Sequence, residues 1–214
     1  DGTCVALDVV PDKRLSEAFT QLERTLSESQ DMVVRMDDNR VAVVHFADGE
    51  QSAYEFGEFL RGSLYEELGI RASIGIGCET ASFADIARSY LQAVTAVRVS
   101  AIFHNVGEVH SYREYLLVKL LEDLPKSRMR EYLEQFRAES AEEIFEDEEM
   151  TETAEAFLES SLNVSETSRN LFMHRNTLMY RLDKIERVTG LNIRKFSDAV
   201  TFRILSVLYK LMQS

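Results

Sequence analysis

The sequence predicts an α+β domain followed by an all-α bundle, and three observations lead there. Short β-branched runs alternate with helical spacing over the first half of the 214 residues. The last strand-like run ends near Tyr112, after which only helical spacing recurs. Charge divides the same way, with an acidic body joined to a basic C-terminal stretch.

Val5-Ala6-Leu7-Asp8-Val9-Val10 reads as a buried strand. Leu15, Ala18, Phe19, Leu22 and Leu26 then recur at helical spacing. Met32 to Met36 and Val41 to Phe46 flank Asp37-Asp38-Asn39-Arg40, whose residue types make a hairpin turn. A helix is expected from about Ala53 to Leu68. Arg71-Ala72-Ser73-Ile74-Gly75-Ile76-Gly77 is a strand with small residues on one face. Ser82-x-x-Asp85 has the spacing of a capping box and opens a helix to about Phe103. Glu108 to Tyr112 closes the series as a short strand. The order β-α-β-β-α-β-α-β calls for an antiparallel-containing sheet with helices packed on one face.

Beyond Leu117 to Leu124, Pro125 interrupts, and a helical stretch runs from Ser127 to about Arg137. Residues 139–159 carry ten Glu or Asp and no Lys or Arg, punctuated by Ile144, Phe145, Phe157 and Leu158. Such a run fits a solvated linker that becomes an amphipathic helix in its later part. The expected division is an α+β domain over 1–115, an acidic helical connector over 116–150 and a helix-turn-helix domain over 151–214.

The formal net charge of −13 argues against a nucleic-acid partner until the chain is split. Residues 163–214 hold nine Lys or Arg against four Asp or Glu, whereas residues 1–162 hold 15 against 33. The acidic run could repel DNA or cover the basic face. No apolar run approaches the ~18 residues that span a bilayer. Cys4 and Cys78 lie far apart without C-x-x-C spacing, as free thiols in a reducing cytoplasm would. Asp1-Gly2-Thr3-Cys4 has neither a basic stretch nor an initiating Met, and reads as an internal cut with sequence missing upstream.

The basic stretch has an arrangement of its own. Ser165 is a good N-cap for a short helix, Glu166 to Phe172, and a longer helix begins near His174 or Arg175. The longer helix keeps Leu178, Leu182, Ile185 and Val188 on one face, and Gly190 ends it. A short helix, a tight turn and a longer helix with a polar start is a helix-turn-helix. Arg175, Asn176 and Thr177 occupy the first turn, where Arg suits guanine and Asn suits adenine. Arg181 is near enough to reach a base or phosphate, Lys184 stands off the apolar face, and Ser165 and Thr167 open the preceding helix, where hydroxyls hold phosphate. His174 reads as a cap or backbone contact, with no second His or Cys nearby to make a metal site. A helical hairpin that merely packs a core has the same spacing.

The stretch from Ser161 to Gly190, above all His174-Arg-Asn-Thr-Leu-x-Tyr-Arg-Leu182, resembles the PucR/CdaR family of regulators. Gly190-Leu191 and Phe196-Ser-Asp-Ala-Val-Thr-Phe202 extend the likeness to about 50 residues. Ser168 departs from the usual Ala of that family. The resemblance implies binding of double-stranded DNA by a homodimer or higher homo-oligomer, without membrane association. It also implies a small-molecule effector sensed by a domain upstream of residue 1, and control of catabolic genes.

Residues 4 to about 115 resemble the GGDEF-like, ferredoxin-related domain that precedes the helix-turn-helix in that family. The likeness rests on Ser73-Ile-Gly-Ile-Gly77, on Asp85-Ile-Ala-x5-Gln-Ala-Val94 and on element order. It brings a rival reading, a degenerate or residual nucleotide cyclase with a helical interaction module. A cyclase needs carboxylates on the first strand and in the hairpin for two metals, and Gly in the hairpin for phosphate approach. Asp8 could mimic one ligand, but Met36-Asp37-Asp38-Asn39-Arg40 has no Gly-Gly, and its acids fit turn formation. No Gly-x-Ser-x-Gly, Walker loop or His-Glu-x-x-His is present. The expectation is a non-enzyme with no catalytic residues, cofactor or metal.

Overall fold

Thr3–Pro11 forms strand β1, the middle of a five-stranded sheet. A computed structural model describes residues 3–47, 51–103, 107–135 and 141–213, in two compact units, Asp1–Leu116 and Leu117–Ser214.

In the first unit, β2 (Met32–Arg35), β3 (Val41–Ala47), β4 (Ala72–Ile76) and β5 (Val109–Ser111) complete the sheet in the order β2-β3-β1-β4-β5. All pairings are antiparallel except β4 with β5, as the mixed sheet requires. The hairpin turn closes through Met36 N–H to the Arg40 carbonyl at 3.0 Å, with Asn39 N–H donating to Asp37 Oδ1 at 2.7 Å.

Period-two alternation gives β1 two faces with different tasks. Val5, Leu7 and Val9 join Val41, Val43, Ile74 and Ile76 in a core covered by helices α1 (Leu15–Thr25) and α2 (Ala53–Leu68). The opposite face meets α3 (Ile86–Ile102), so helices cover both faces and not one as the element order alone suggested. Close approach is what the small residues of β4 permit. A Cβ on Gly75 would stand 2.0 Å from the Ala93 carbonyl oxygen, and one on Gly77 the same distance from that of Ser89.

One helix start differs from expectation. Ser82 Oγ accepts from the Ala84 N–H at 3.2 Å, and residues 83–85 make a 3-10 turn before α3 begins. The reciprocal capping box lies instead at α2, where Ser52 Oγ accepts from Glu55 N–H and Glu55 Oε2 accepts from Ser52 N–H.

The second unit is helical: α4 (Leu116–Glu122) at the join, α5 (Lys126–Gln135), α6 (Ala141–Glu146), α7 (Glu148–Glu159), α8 (Val164–Asn170), α9 (Arg175–Thr189) and α10 (Phe196–Gln213). Its core gathers Ile144, Met150, Ala154, Phe157, Leu178, Leu182, Ile185, Ile193, Ala199 and Phe202. Ile144 and Met150 come from the segment read as a connector, because two apolar side chains there match the bundle's interior. Residues 139 and 140 of the acidic run, and Arg137, lie outside the described residues. No described helix is long and apolar enough to cross a membrane. On α10, Leu205, Leu208 and Leu211 are core and Val200 is exposed.

Candidate nucleic-acid interface

Asn163 caps α8: its Oδ1 accepts from the N–H groups of Ser165 and Glu166 at 3.0 and 3.1 Å. The cap therefore falls two residues before Ser165, which stands exposed in the first turn. Thr167 shares the inward face with Val164 and Leu171; it is buried, with its hydroxyl donating to the Asn163 carbonyl at 2.8 Å. A phosphate cannot reach that side chain, so Thr167 is corrected from a DNA contact to a packing residue.

The turn into α9 is short. Met173 N–H donates to the Ser168 carbonyl, and Ser168 Oγ donates back to the Met173 carbonyl. The hydroxyl at the position where the resemblance expected Ala thus ties the turn. His174 takes extended backbone and caps α9, its Nδ1 accepting from Asn176 N–H at 3.2 Å. Gly190 ends the helix in the left-handed region, where a Cβ would be strained.

Leu178, Leu182 and Ile185 face the core, and at ~100° per residue Asn176, Tyr180 and Arg187 stand opposite. His174, Arg175, Asn176, Thr177, Tyr180 and Arg187 are all exposed. Two further cations are already engaged. Arg181 donates to Glu149 Oε2 at 2.8 Å and to Thr153 Oγ1 at 2.9 Å, while Lys184 Nζ lies 3.4 Å from Asp147 Oδ2. Arg181 is only 19% exposed and ties α9 to α7, so to reach a base or phosphate it has to leave Glu149. On the other flank, Arg194 bridges Asp183 and Glu186.

This polar, capped first turn set against a buried stripe coincides with a family match. Residues 150–205 match the PucR C-terminal helix-turn-helix domain, and residues 1–99 match the GGDEF-like domain. The purine catabolism regulatory protein of Bacillus subtilis is 25% identical over 132 residues, 62% of this chain and 25% of that protein. The carbohydrate diacid regulator of Escherichia coli is 29% identical over 129 residues, covering 60% and 33%. The DNA-binding transcriptional activator AdeR of Bacillus subtilis is 22% identical over 196 residues, covering 88% and 46%.

The chain thus carries a helix-turn-helix domain of the PucR type and a GGDEF-like domain, and is similar to regulators of the PucR/CdaR type. It spans between a quarter and less than half of the length of these curated relatives.

The GGDEF-like unit has its own buried polar centre. Asp8, fully buried on β1, accepts from Arg40 NH1 at 2.7 Å and from the Tyr90 hydroxyl at 3.1 Å. Burial pushes the Asp8 carboxyl up to about 6, against the opposing pull of Arg40 and Tyr90. The hairpin acids are spent elsewhere, Asp37 within the turn and Asp38 on Arg35 at 3.3 Å. Among the described residues no group of three His, Cys, Asp or Glu is placed to hold a metal ion. The residues present do not fit a two-metal nucleotide site, since a guanidinium stands where a divalent cation would meet Asp8.

Sequence reasoning missed two features: the tie made by Arg181, which depends on partners about 30 positions away, and the exposed ring of Phe172 in the turn. A signal for the second was present, since Leu171-Phe172-Met173 places no Gly, Asn or Asp where a tight turn favours one.

Proposed function

We propose that this chain acts as a sequence-specific, DNA-binding transcription regulator, with α9 as the reading helix. The observation that carries the reading is the exposed first turn of α9, where Arg175, Asn176 and Thr177 stand together beyond the His174 cap. Arg175 pairs with guanine and Asn176 with adenine in the major groove, and Thr177 serves either a base edge or a thymine methyl. Ser165 and Arg187 hold phosphate on either side; Lys184 joins them when it leaves Asp147. One short helix reads few base pairs, so two copies work together on a paired site. The protein works in the cytoplasm, and its effector is a small molecule sensed outside these residues.

The GGDEF-like unit serves as a non-catalytic scaffold, its Asp8 neutralised by Arg40. Incubation with GTP and Mg²⁺ yields no cyclic dinucleotide on this reading, and product formation would replace it with the cyclase alternative. The regulator reading itself is tested by selecting duplexes from a random DNA library. The winning sequence binds wild type and loses Asn176→Ala, whereas failure to enrich any motif speaks against it.

A further inference from the structure

Phe172 combines two unfavourable features that nothing inside the protein offsets. Its backbone sits in the left-handed region, at φ 48°, which side chains other than Gly, Asn and Asp seldom enter. Its ring is 99% exposed, so the strained position gains no packing in return. The conformation itself is required: Phe172 N–H donates to the Arg169 carbonyl at 3.1 Å and Met173 N–H to that of Ser168 at 2.9 Å, the bonds that turn the chain from α8 into α9. Glycine would make the same turn without strain. Of the described non-glycine residues with left-handed backbone, Phe172 is the one whose large apolar side chain is wholly exposed, a pairing that points to a contact outside the chain.

The surroundings say what kind of contact. Phe172 lies between half-buried Leu171 and Met173, and the exposed residues beyond them are Arg169 and Asn170 on one side and His174 and Arg175 on the other. An aromatic that docks on protein ordinarily belongs to an exposed apolar patch, whereas the exposed residues next along the chain here are cations and hydrogen-bond donors. Three positions later begins the turn of α9 assigned to base reading. We propose that the Phe172 ring is a DNA contact that packs on a thymine C5-methyl group at the edge of the recognised site. This rests on the reading of α9 as the recognition helix. The ring adds an apolar discriminator to the polar pair Arg175 and Asn176, favouring thymine over cytosine, whose C5 carries no methyl.

The test uses the full chain and its selected duplex, with each thymine replaced in turn by deoxyuridine, which lacks only the methyl group. Wild type loses about fivefold in affinity at one position. Phe172→Gly binds the thymine duplex about fivefold more weakly than wild type, is indifferent to uracil at that position, and melts at the same or a higher temperature because the strain is gone. Equal affinity and an unchanged uracil profile in Phe172→Gly would overturn the proposal. So would a weaker dimer in sedimentation with the uracil response retained, which assigns the ring to a second copy of the chain. A wild type that enriches no duplex removes the recognition-helix reading itself; where a duplex is enriched, loss of its binding in Arg175→Ala with Phe172→Gly unchanged overturns the Phe172 contact alone.

Discussion

The Arg181 guanidinium reaches across from α9 to α7 and donates to both Glu149 Oε2 (2.8 Å) and Thr153 Oγ1 (2.9 Å). Thr153 is buried and its hydroxyl donates in turn to the Glu149 carbonyl at 2.7 Å. The start of α7 and the middle of α9 are thereby joined by hydrogen bonds as well as by packing of Met150 and Ala154 against the Leu178–Leu182 stripe. Arg181→Ala should lower the stability of the helical unit by about 1–2 kcal/mol, a loss of hydrogen bonds to a charged donor moderated by the exposed carboxylate. Urea denaturation followed by circular dichroism measures it, and an unchanged midpoint would show the tie to be idle.

The same acids bear on affinity for DNA. Deleting part of the acidic run would remove Ile144 from the core along with the charges. Point substitutions are cleaner. Asp147→Asn with Glu149→Gln removes two negative charges that face Lys184 and Arg181, and should raise DNA affinity about three- to tenfold at low salt. A fluorescence-anisotropy titration reads the change; equal or weaker binding at matched stability would exclude an autoinhibitory role for these carboxylates.

The contact of α3 with the sheet gives a matched pair of glycine tests. Gly75→Ala places a methyl 2.0 Å from the Ala93 carbonyl oxygen, a rigid backbone atom, and should destabilise the first unit by at least about 3 kcal/mol. Gly62→Ala, inside α2 with nothing within 4 Å of the new methyl, should stabilise it by about 0.5–1 kcal/mol. Thermal melts of the two variants moving in the same direction would contradict this packing.

Asp8 makes stability depend on pH in a stated direction. Its carboxyl is pushed from 3.8 in the unfolded chain to about 6, so the folded state holds the proton more tightly. Its favourable contribution is full below about pH 4 and is lost as pH rises through 6. Relative to Asp8→Asn, wild type should therefore lose on the order of 2–3 kcal/mol between pH 4 and pH 7. A flat difference across that window would mean that Arg40 compensates the buried charge in full.

The order of strands and helices in the first unit was legible because each element carries its own period, such as the β-branched run Val41 to Phe46 or the Leu15–Leu22 spacing. The side of the sheet on which α3 lies was not, since Gly75 and Gly77 announce close approach without saying to what. In the candidate site, Asn176 and Thr177 could be read from helix phase, but Arg175 only from its place in the first turn, because its spacing from Leu178 and Leu182 is that of the inward stripe. The cap of α8 could not: Asn163 and Ser165 are both capping types, and the left-handed Leu162 before Asn163 decides between them. Thr167 looked like a phosphate contact because its hydroxyl is near a helix start, yet its spacing from Val164 and Leu171 marks the inner face. The engagement of Arg181 and Lys184 is not legible locally, because their partners Glu149 and Asp147 lie 32 and 37 positions earlier in the chain.

One measurement tests the central claim most directly: binding of the library-selected duplex by wild type and by Arg175→Ala/Asn176→Ala, titrated over a range of salt. The account predicts a motif in two related halves, tight binding by wild type that weakens steeply with salt, and at least a hundredfold loss in the double variant with folding intact. Equal binding by the two proteins, or binding by wild type indifferent to sequence, would contradict the assignment of α9 as the reading helix.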